Sequence, residues 1–362
     1  MNILTSNDLA PAPMEGGGNY NRSSGVQASD LDRALARWVQ AARNVPLAPS
    51  PEPILLADYG SSQGRNSLAP MKAAIGVLRA RLAPGRPICV THTDLPGNDF
   101  AALFQTLEGD AGSYLASDPA VYASAVGRSF YQPILPPASV SLGWSSWAVQ
   151  WLSRAPAPVP DHVQVAYSSD LAIRQAFVRQ AAQDWRDFLA ARSAELRPGG
   201  RLVLLTMACD EAGDFGYRSL LQALVDEIRG MVDAGEVRPA EWARMSIPTV
   251  GRSRDDWLEP FAASGSFEGL VLAHFELFDG HDPFWDRLQS GGDARAFGAN
   301  WAAFSRASVF PTLAAALEEE PDVTARRLRF IDRLEAGVAK RMAAAPERLQ
   351  VPLALLEIAK PA

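Results

Sequence analysis

The stretch Asp58-Tyr59-Gly60-Ser61-Ser62-Gln63-Gly64-Arg65-Asn66 follows the apolar run "ILLA" and precedes a helical pattern. A strand, a loop of small residues and a helix start usually cradle an anion on backbone N–H groups. Here an acid stands at the loop's mouth. A P-loop needs Lys and then Ser or Thr after its last glycine; Arg65 and Asn66 follow instead. The dinucleotide fingerprint needs three glycines, and only Gly60 and Gly64 are present. Asp58 would also repel a pyrophosphate. A ligand with a positive group and no phosphate fits better, and S-adenosylmethionine is one, with its ammonium, sulfonium and ribose hydroxyls. Asp58 would then attract the cationic methionine end, and Gly60 would let backbone approach closely. Asp94, after the next apolar run, would accept the two ribose hydroxyls, as an acid does for the ribose of NAD.

Bulk properties exclude several other classes. The chain has 362 residues, 48% of them apolar, and a net charge of −7, with a pI near 5.3. That balance argues against nucleic acid or an anionic membrane as partner. No stretch of about 18 apolar residues predicts a membrane span. The N-terminus lacks the basic and apolar segments of a signal peptide. Cys89 and Cys209 form neither a disulfide framework nor a metal pair, so a cytoplasmic location is expected. His92, His162, His274 and His281 lack ligand spacing and read as strand-end or surface residues, with no metal site expected.

The elements that must position these residues follow an alternating pattern. Leu31, Leu35, Trp38 and Val39 mark a helix. Strands are expected at 54–60, from 86 to about 92, at 139–143 and at 201–207, with helices after residues 66 and 99 and over 168–196. The third strand is expected to run straight into a helix through "WSSWAVQWLS". Such alternation predicts a parallel, doubly wound α/β sheet. Residues 211–262 and 283–344 read as helical, "FEGLVLAHFELFD" as a strand, and "ERLQVPLALLEIAK" as a final edge strand because of Pro352. The expected organisation is an arm at 1–30, a cofactor-binding core at 31–210 with 264–280 and 345–362, and a helical cap at 211–263 with 281–344. The cap would sit over the carboxyl ends of the strands, where open α/β sheets bind ligands.

Six stretches then occur together and in order: "MEGGGNYNRSSGVQ", "ADYGSSQGRNSL", "DLPGNDF", "GRSFYQPILPP", "WSSWAVQWLS" and "RSAELRPGGRLVLL". The chain between about residues 14 and 207 thereby resembles the SABATH methyltransferases, which methylate small carboxylic acids and some heterocycles. The resemblance implies a class I methyltransferase (Rossmann-like) fold with a helical cap, S-adenosylmethionine as cofactor and a homodimer. It implies cofactor contacts from Tyr20, Ser24, Asp58, Gly60, Ser61, Asn66, Asp94, Leu95, Ser129 and Phe130. It implies that Gln27 and the Trp151 indole hold the substrate carboxylate, with Trp147, Gln150, Leu220 and Leu221 in the pocket wall. Phe304 is a further expected wall residue. Two positions depart from the family: Glu15 stands where lysine is frequent, and Ser168 where an asparagine serves a metal in some members.

The chemistry expected is methyl ester formation on a small, largely apolar acid. A carboxylate is already ionised at neutral pH, so no general base is required. N-methylation of a heterocycle, with Gln150 reading a ring edge, is the second reading. A cofactor-binding protein without catalysis is the third.

Overall fold

The computed structural model describes residues 12–16, 21, 26–27, 30–47 and 52–362. Tyr20 and Ser24 lie outside the described residues. Helix α1 (Leu31–Asn44) precedes strand β1 (Ile54–Tyr59), helix α2 (Arg65–Arg79), strand β2 (Ile88–Asp94) and helix α3 (Phe100–Gly109). Strands β3 (Val121–Gly127) and β4 (Val140–Ser146), helix α4 (Leu171–Glu195) and strand β5 (Leu196–Met207) follow. Then come α5 (Arg218–Asp233), α6 (Pro239–Trp242), α7 (Arg254–Ala262) and strand β6 (Val271–Asp279). Helices α8 (Pro283–Gln289), α9 (Ala294–Ser308), α10 (Phe310–Ala314) and α11 (Val323–Ala344) lead to strand β7 (Pro352–Ala359).

The seven strands form one sheet in the order β3-β2-β1-β4-β5-β7-β6. The first five are parallel, and β7 is antiparallel to both of its neighbours. One expectation is corrected here. β7 is an interior strand, and β6 takes the edge. The alternation shows why: Leu353 and Leu355 face one core layer while Ala354, Leu356 and Ile358 face the other, so both faces need cover. Pro352 is tolerated because it is the strand's first residue. Strand β3 was also not evident from the sequence; its half-exposed alternation "VYASAVG" carries little apolar signal.

The sheet separates two packed layers. On β1, Ile54 and Leu56 point to one and Ala57 and Tyr59 to the other. α1 and α2 cover the first face through Trp38, Met71 and Leu78; α4 and α7 cover the second through Trp185, Phe188 and Trp257. The first layer continues into α5, α9 and α11, through residues such as Leu224, Trp301 and Leu334. No helix among the described residues is long and apolar enough to cross a membrane.

One buried charge pair fastens the second layer to the loop after β3. Glu195 and Arg192 are fully buried and 2.8 Å apart. Glu195 also accepts from the Tyr59 hydroxyl at 2.8 Å and from the backbone N–H of Ile134 and Leu135 at 2.5 and 3.1 Å. Arg192 donates to the carbonyls of Phe130 and Gln132 at 2.7 and 3.1 Å. Removing one partner strands a charge away from water, at a cost of about 3–5 kcal/mol. Glu195→Ala is therefore expected to lose about that much stability in urea titration; a loss under about 1 kcal/mol would show that the pair carries no such weight.

Candidate active site

The strand order reverses between β1 and β4, and at such a point the loops leaving adjacent strands diverge and open a crevice. The loop after β1 begins at Gly60, with φ of +88°, a conformation that favours glycine. Its Cα faces the loop after β4 so closely that a Cβ there would lie 2.3 Å from the Cβ of Ala148. Hydrogen bonds fix the first loop to β2: Gly60 and Ser61 donate backbone N–H to the Thr93 carbonyl at 2.9 and 3.0 Å. The Ser62 N–H donates to Asp94 Oδ2 at 2.7 Å, and the Leu95 N–H to Asp94 Oδ1 at 2.8 Å.

Two cavities open at this crevice. The larger, about 840 Å3 out to its mouth, is lined by Gly60, Ser62, Asp94, Leu95, Ser129 and Phe130 among others. Asp94 is the one charged side chain in its described lining, and no Lys or Arg faces it. A diphosphate would find no counter-charge there. Burial pushes the Asp94 carboxyl up to about 6, against the two backbone N–H groups that pull it down. The Ser62 hydroxyl is buried with no hydrogen-bond partner. A flat ring, a carboxylate, an unpaired hydroxyl and open backbone at Gly60 fit a nucleoside carrying positive charge. These residues could hold S-adenosylmethionine, with Phe130 against the adenine and Asp94 on the ribose.

The smaller cavity, about 630 Å3 on the same measure, has no charged side chain in its described lining. Gln27, Trp147, Gln150, Trp151, Leu220, Leu221 and Phe304 all line it, so the sequence brought the expected wall residues together. Met14, Trp147 and Trp151 line both cavities, so the two meet at this point. The segment carrying the tryptophans is not the expected helix. Trp147 has φ of +56°, its N–H donates to the Leu205 carbonyl at 2.7 Å, and Trp151 makes an isolated bridge with Thr249. Tertiary pairing with β5 and the chain near Thr249 overrides the helical spacing of the apolar residues.

Gln150 braces that turn. Its amide donates to the Trp147 carbonyl at 2.7 Å and its oxygen accepts from the Thr206 hydroxyl at 2.8 Å. With both ends of its amide engaged inside the protein, Gln150 is a poor reader of a substrate ring edge. The Trp147 indole N–H, the Tyr217 hydroxyl and the Gln27 amide oxygen are buried without partners on this cavity's wall. Five described non-glycine residues have positive φ, and three of them, Ser62, Trp147 and Tyr217, line the cavities. Strain of this kind persists where the surrounding structure fixes it, and it concentrates at functional sites.

Other expected residues sit behind the cavity walls. Asp58 is 2% exposed, outside the described lining, and accepts from Ser67 Oγ at 2.5 Å. His92 lies near the end of β2, as expected, and is fully buried, with Nδ1 2.8 Å from Asp58 Oδ2 and Nε2 2.8 Å from the Tyr114 hydroxyl. Ser61 and Asn66 belong to the same loop and helix start but not to the lining. Glu15 pairs with Arg306 at 3.0 Å, while its carbonyl accepts from Gln63, which seats Pro13 and Met14 at the cavities. Ser168 donates to Asp161 at 2.7 Å. Among the described residues no three His, Cys, Asp or Glu side chains gather to hold a metal. Phe215, Tyr217 and Ile247 are lining residues the sequence did not single out; as isolated aromatic and aliphatic residues they carry no spacing signal, whereas Tyr131, also in the lining, stands beside Phe130 in the "SFY" stretch.

Comparison with known proteins agrees with this geometry. The family model described as SAM dependent carboxyl methyltransferase matches residues 9–347. Methyltransferase FUS9 of Gibberella fujikuroi is 31% identical over 248 residues, 67% of this chain, and the match spans about 65% of that fungal protein's length. Anthranilate O-methyltransferase 2 of Zea mays is 26% identical over 358 residues, covering 93% of this chain and 92% of its own. The solved structure of loganic acid methyltransferase with SAH shares the fold, with a TM-score of 0.76 at 21% identity over 97% of this chain and 99% of that one. The chain belongs to the family of S-adenosylmethionine-dependent carboxyl methyltransferases.

Proposed function

We propose that this chain is an enzyme that forms the methyl ester of a small, largely apolar carboxylic acid. The observation that carries the reading is the meeting of a nucleoside-sized cavity, whose described lining is charged only by Asp94, with a cavity whose described lining is uncharged, at Trp147 and Trp151. Bound, S-adenosylmethionine supplies an electrophilic methyl group on a sulfonium. The protein's own contribution is to hold a carboxylate at the junction, aim one oxygen and keep water out. Such positioning is worth roughly 7–11 kcal/mol in favourable cases.

Indole N–H groups suit this work. They donate without protonating the carboxylate, and a neutral donor leaves the oxygen more nucleophilic than a tight salt bridge would. In this reading Trp151 donates to one oxygen, and the unpartnered Trp147 N–H stands on the same wall. Gln27 contributes an amide N–H, since a half-turn of its side-chain amide exchanges oxygen for nitrogen. The uncharged wall of Leu220, Leu221 and Phe304 selects an apolar body for the acid. The benzoate and anthranilate O-methyltransferases of Zea mays, among the relatives, are named for acids of this kind. By resemblance the working form is a cytoplasmic homodimer, for which sedimentation velocity is the check on assembly.

Labelled methyl from the cofactor, incubated with a panel of aromatic and aliphatic acids, tests the reaction. An ester releases its label in mild alkali. A product that keeps the label in alkali would overturn ester formation, and one that does so on a nitrogen heterocycle would favour N-methylation.

Two variants probe the roles. Trp151→Phe is expected to lower kcat/KM by about 10–100-fold, with affinity for S-adenosylhomocysteine changed less than about threefold. Collapse of that affinity would place Trp151 in the wrong site. For Asp94, the ionised form is the better acceptor for ribose hydroxyls. Because its carboxyl is raised to about 6, it gains a proton as pH falls through that value. Calorimetric affinity for S-adenosylhomocysteine should hold above pH 7 and fall by up to about tenfold per unit below pH 6. Asp94→Asn should bind more weakly with no such slope; a wild-type profile flat between pH 5 and pH 8 contradicts the assignment.

A further inference from the structure

Tyr217 occupies an unusual position. It precedes α5 with φ of +57°, a backbone conformation costly for a bulky side chain. Its N–H donates to the Gln350 carbonyl at 3.1 Å, and its own carbonyl accepts from Leu221 at 2.9 Å, so the strained turn is pinned at both ends. The ring lies edge-on to Trp301 at 6.3 Å and near Phe215 at 6.0 Å. The residue is 3% exposed and lines the smaller cavity but not the larger one. Its hydroxyl is buried with no hydrogen-bond partner. Leaving such a group unpaired costs about 1–3 kcal/mol.

The other hydroxyls of the wall each already have one partner inside the protein. Ser305 and Ser308 donate to the carbonyls of Trp301 and Phe304, one turn back on α9, and Thr249 accepts from Gln164. Resting on the reading above, which puts the carboxylate at the junction with the cofactor cavity, Tyr217 belongs to the part of the pocket that takes the rest of the acid. We propose that the Tyr217 hydroxyl recognises a neutral oxygen, a hydroxyl or carbonyl, on the substrate at a point remote from its carboxylate, so that the preferred substrates are oxygenated acids.

The electrostatics favour neutrality in that group. Burial first, and then the carboxylates of Asp30, Asp279 and Asp282, hold the Tyr217 phenol well above its ordinary range, so it remains a neutral donor. The same acids disfavour a second carboxylate on the ligand. Each is held in the fold: Asp30 accepts from the His281 N–H at 2.9 Å, Asp279 pairs with Arg348 at 2.7 Å, and Asp282 accepts from Phe284, Trp285 and Leu349.

The test uses matched pairs: phenylpropanoic acid against its para-hydroxy derivative, and octanoic acid against its omega-hydroxy derivative. Binding is read by calorimetry in the presence of S-adenosylhomocysteine, and turnover separately with labelled methyl. The full-length chain is expected to bind the oxygenated member of at least one pair about tenfold or more tightly. Tyr217→Phe keeps the ring and should bring the ratio of affinities within that pair down to about one, with affinity for S-adenosylhomocysteine, whose cavity Tyr217 does not line, within about twofold. A wild-type chain with no preference in either pair overturns the proposal, and so does a preference that survives in Tyr217→Phe. Tyr217-dependent binding without methyl transfer would uphold it and overturn ester formation instead; methyl transfer without any preference would do the reverse.

Discussion

The close approach of Gly60 to Ala148 is the constraint on which the site depends. The two loops leave neighbouring strands at the point where strand order reverses, and no side chain separates them. That approach sets one loop, with its backbone tied to Thr93 and Asp94, against the other, which carries Trp147 and Trp151. Both cavities are consequences. The larger opens along the first loop, the smaller lies beyond the second, and the tryptophans stand where they meet.

Charge is then distributed by exclusion. In its described lining the larger cavity has Asp94 and no cation, and the smaller has no charged side chain. Asp58, the acid at the loop's mouth, is turned inward to Ser67 and to His92, which is in turn held by Tyr114. Its carboxylate lies behind the loop, outside the described lining of the cavity. Polar groups at the junction are neutral N–H donors, and burial in a medium of low polarity strengthens what they offer.

Much of this was legible in the sequence because it resides in contiguous motifs. The loop from Asp58 to Asn66, the "DLPGNDF" segment and the "SFY" turn each keep their residues within a few positions of one strand end. Leu220 and Leu221 were expected from family likeness, and Phe304 was named as a wall residue beside them. What escaped depends on distant pairing. "WSSWAVQWLS" has helical apolar spacing, yet the Leu205 carbonyl and the bridge to Thr249 hold it as an irregular turn. "PLALLEIA" is apolar on both faces, the mark of an interior strand, but Pro352 drew attention to the edge. His92 gains its meaning from Asp58, 34 residues earlier, and Tyr217 from a cavity formed by elements scattered across the chain.

The contact between the two loops can be tested directly through Gly60→Ala, with dissociation of S-adenosylhomocysteine measured by calorimetry. The account predicts affinity at least about a hundredfold weaker with the circular dichroism spectrum retained, and partial recovery when Ala148→Gly removes the opposing Cβ. Affinity for S-adenosylhomocysteine within threefold of the unaltered chain would contradict it.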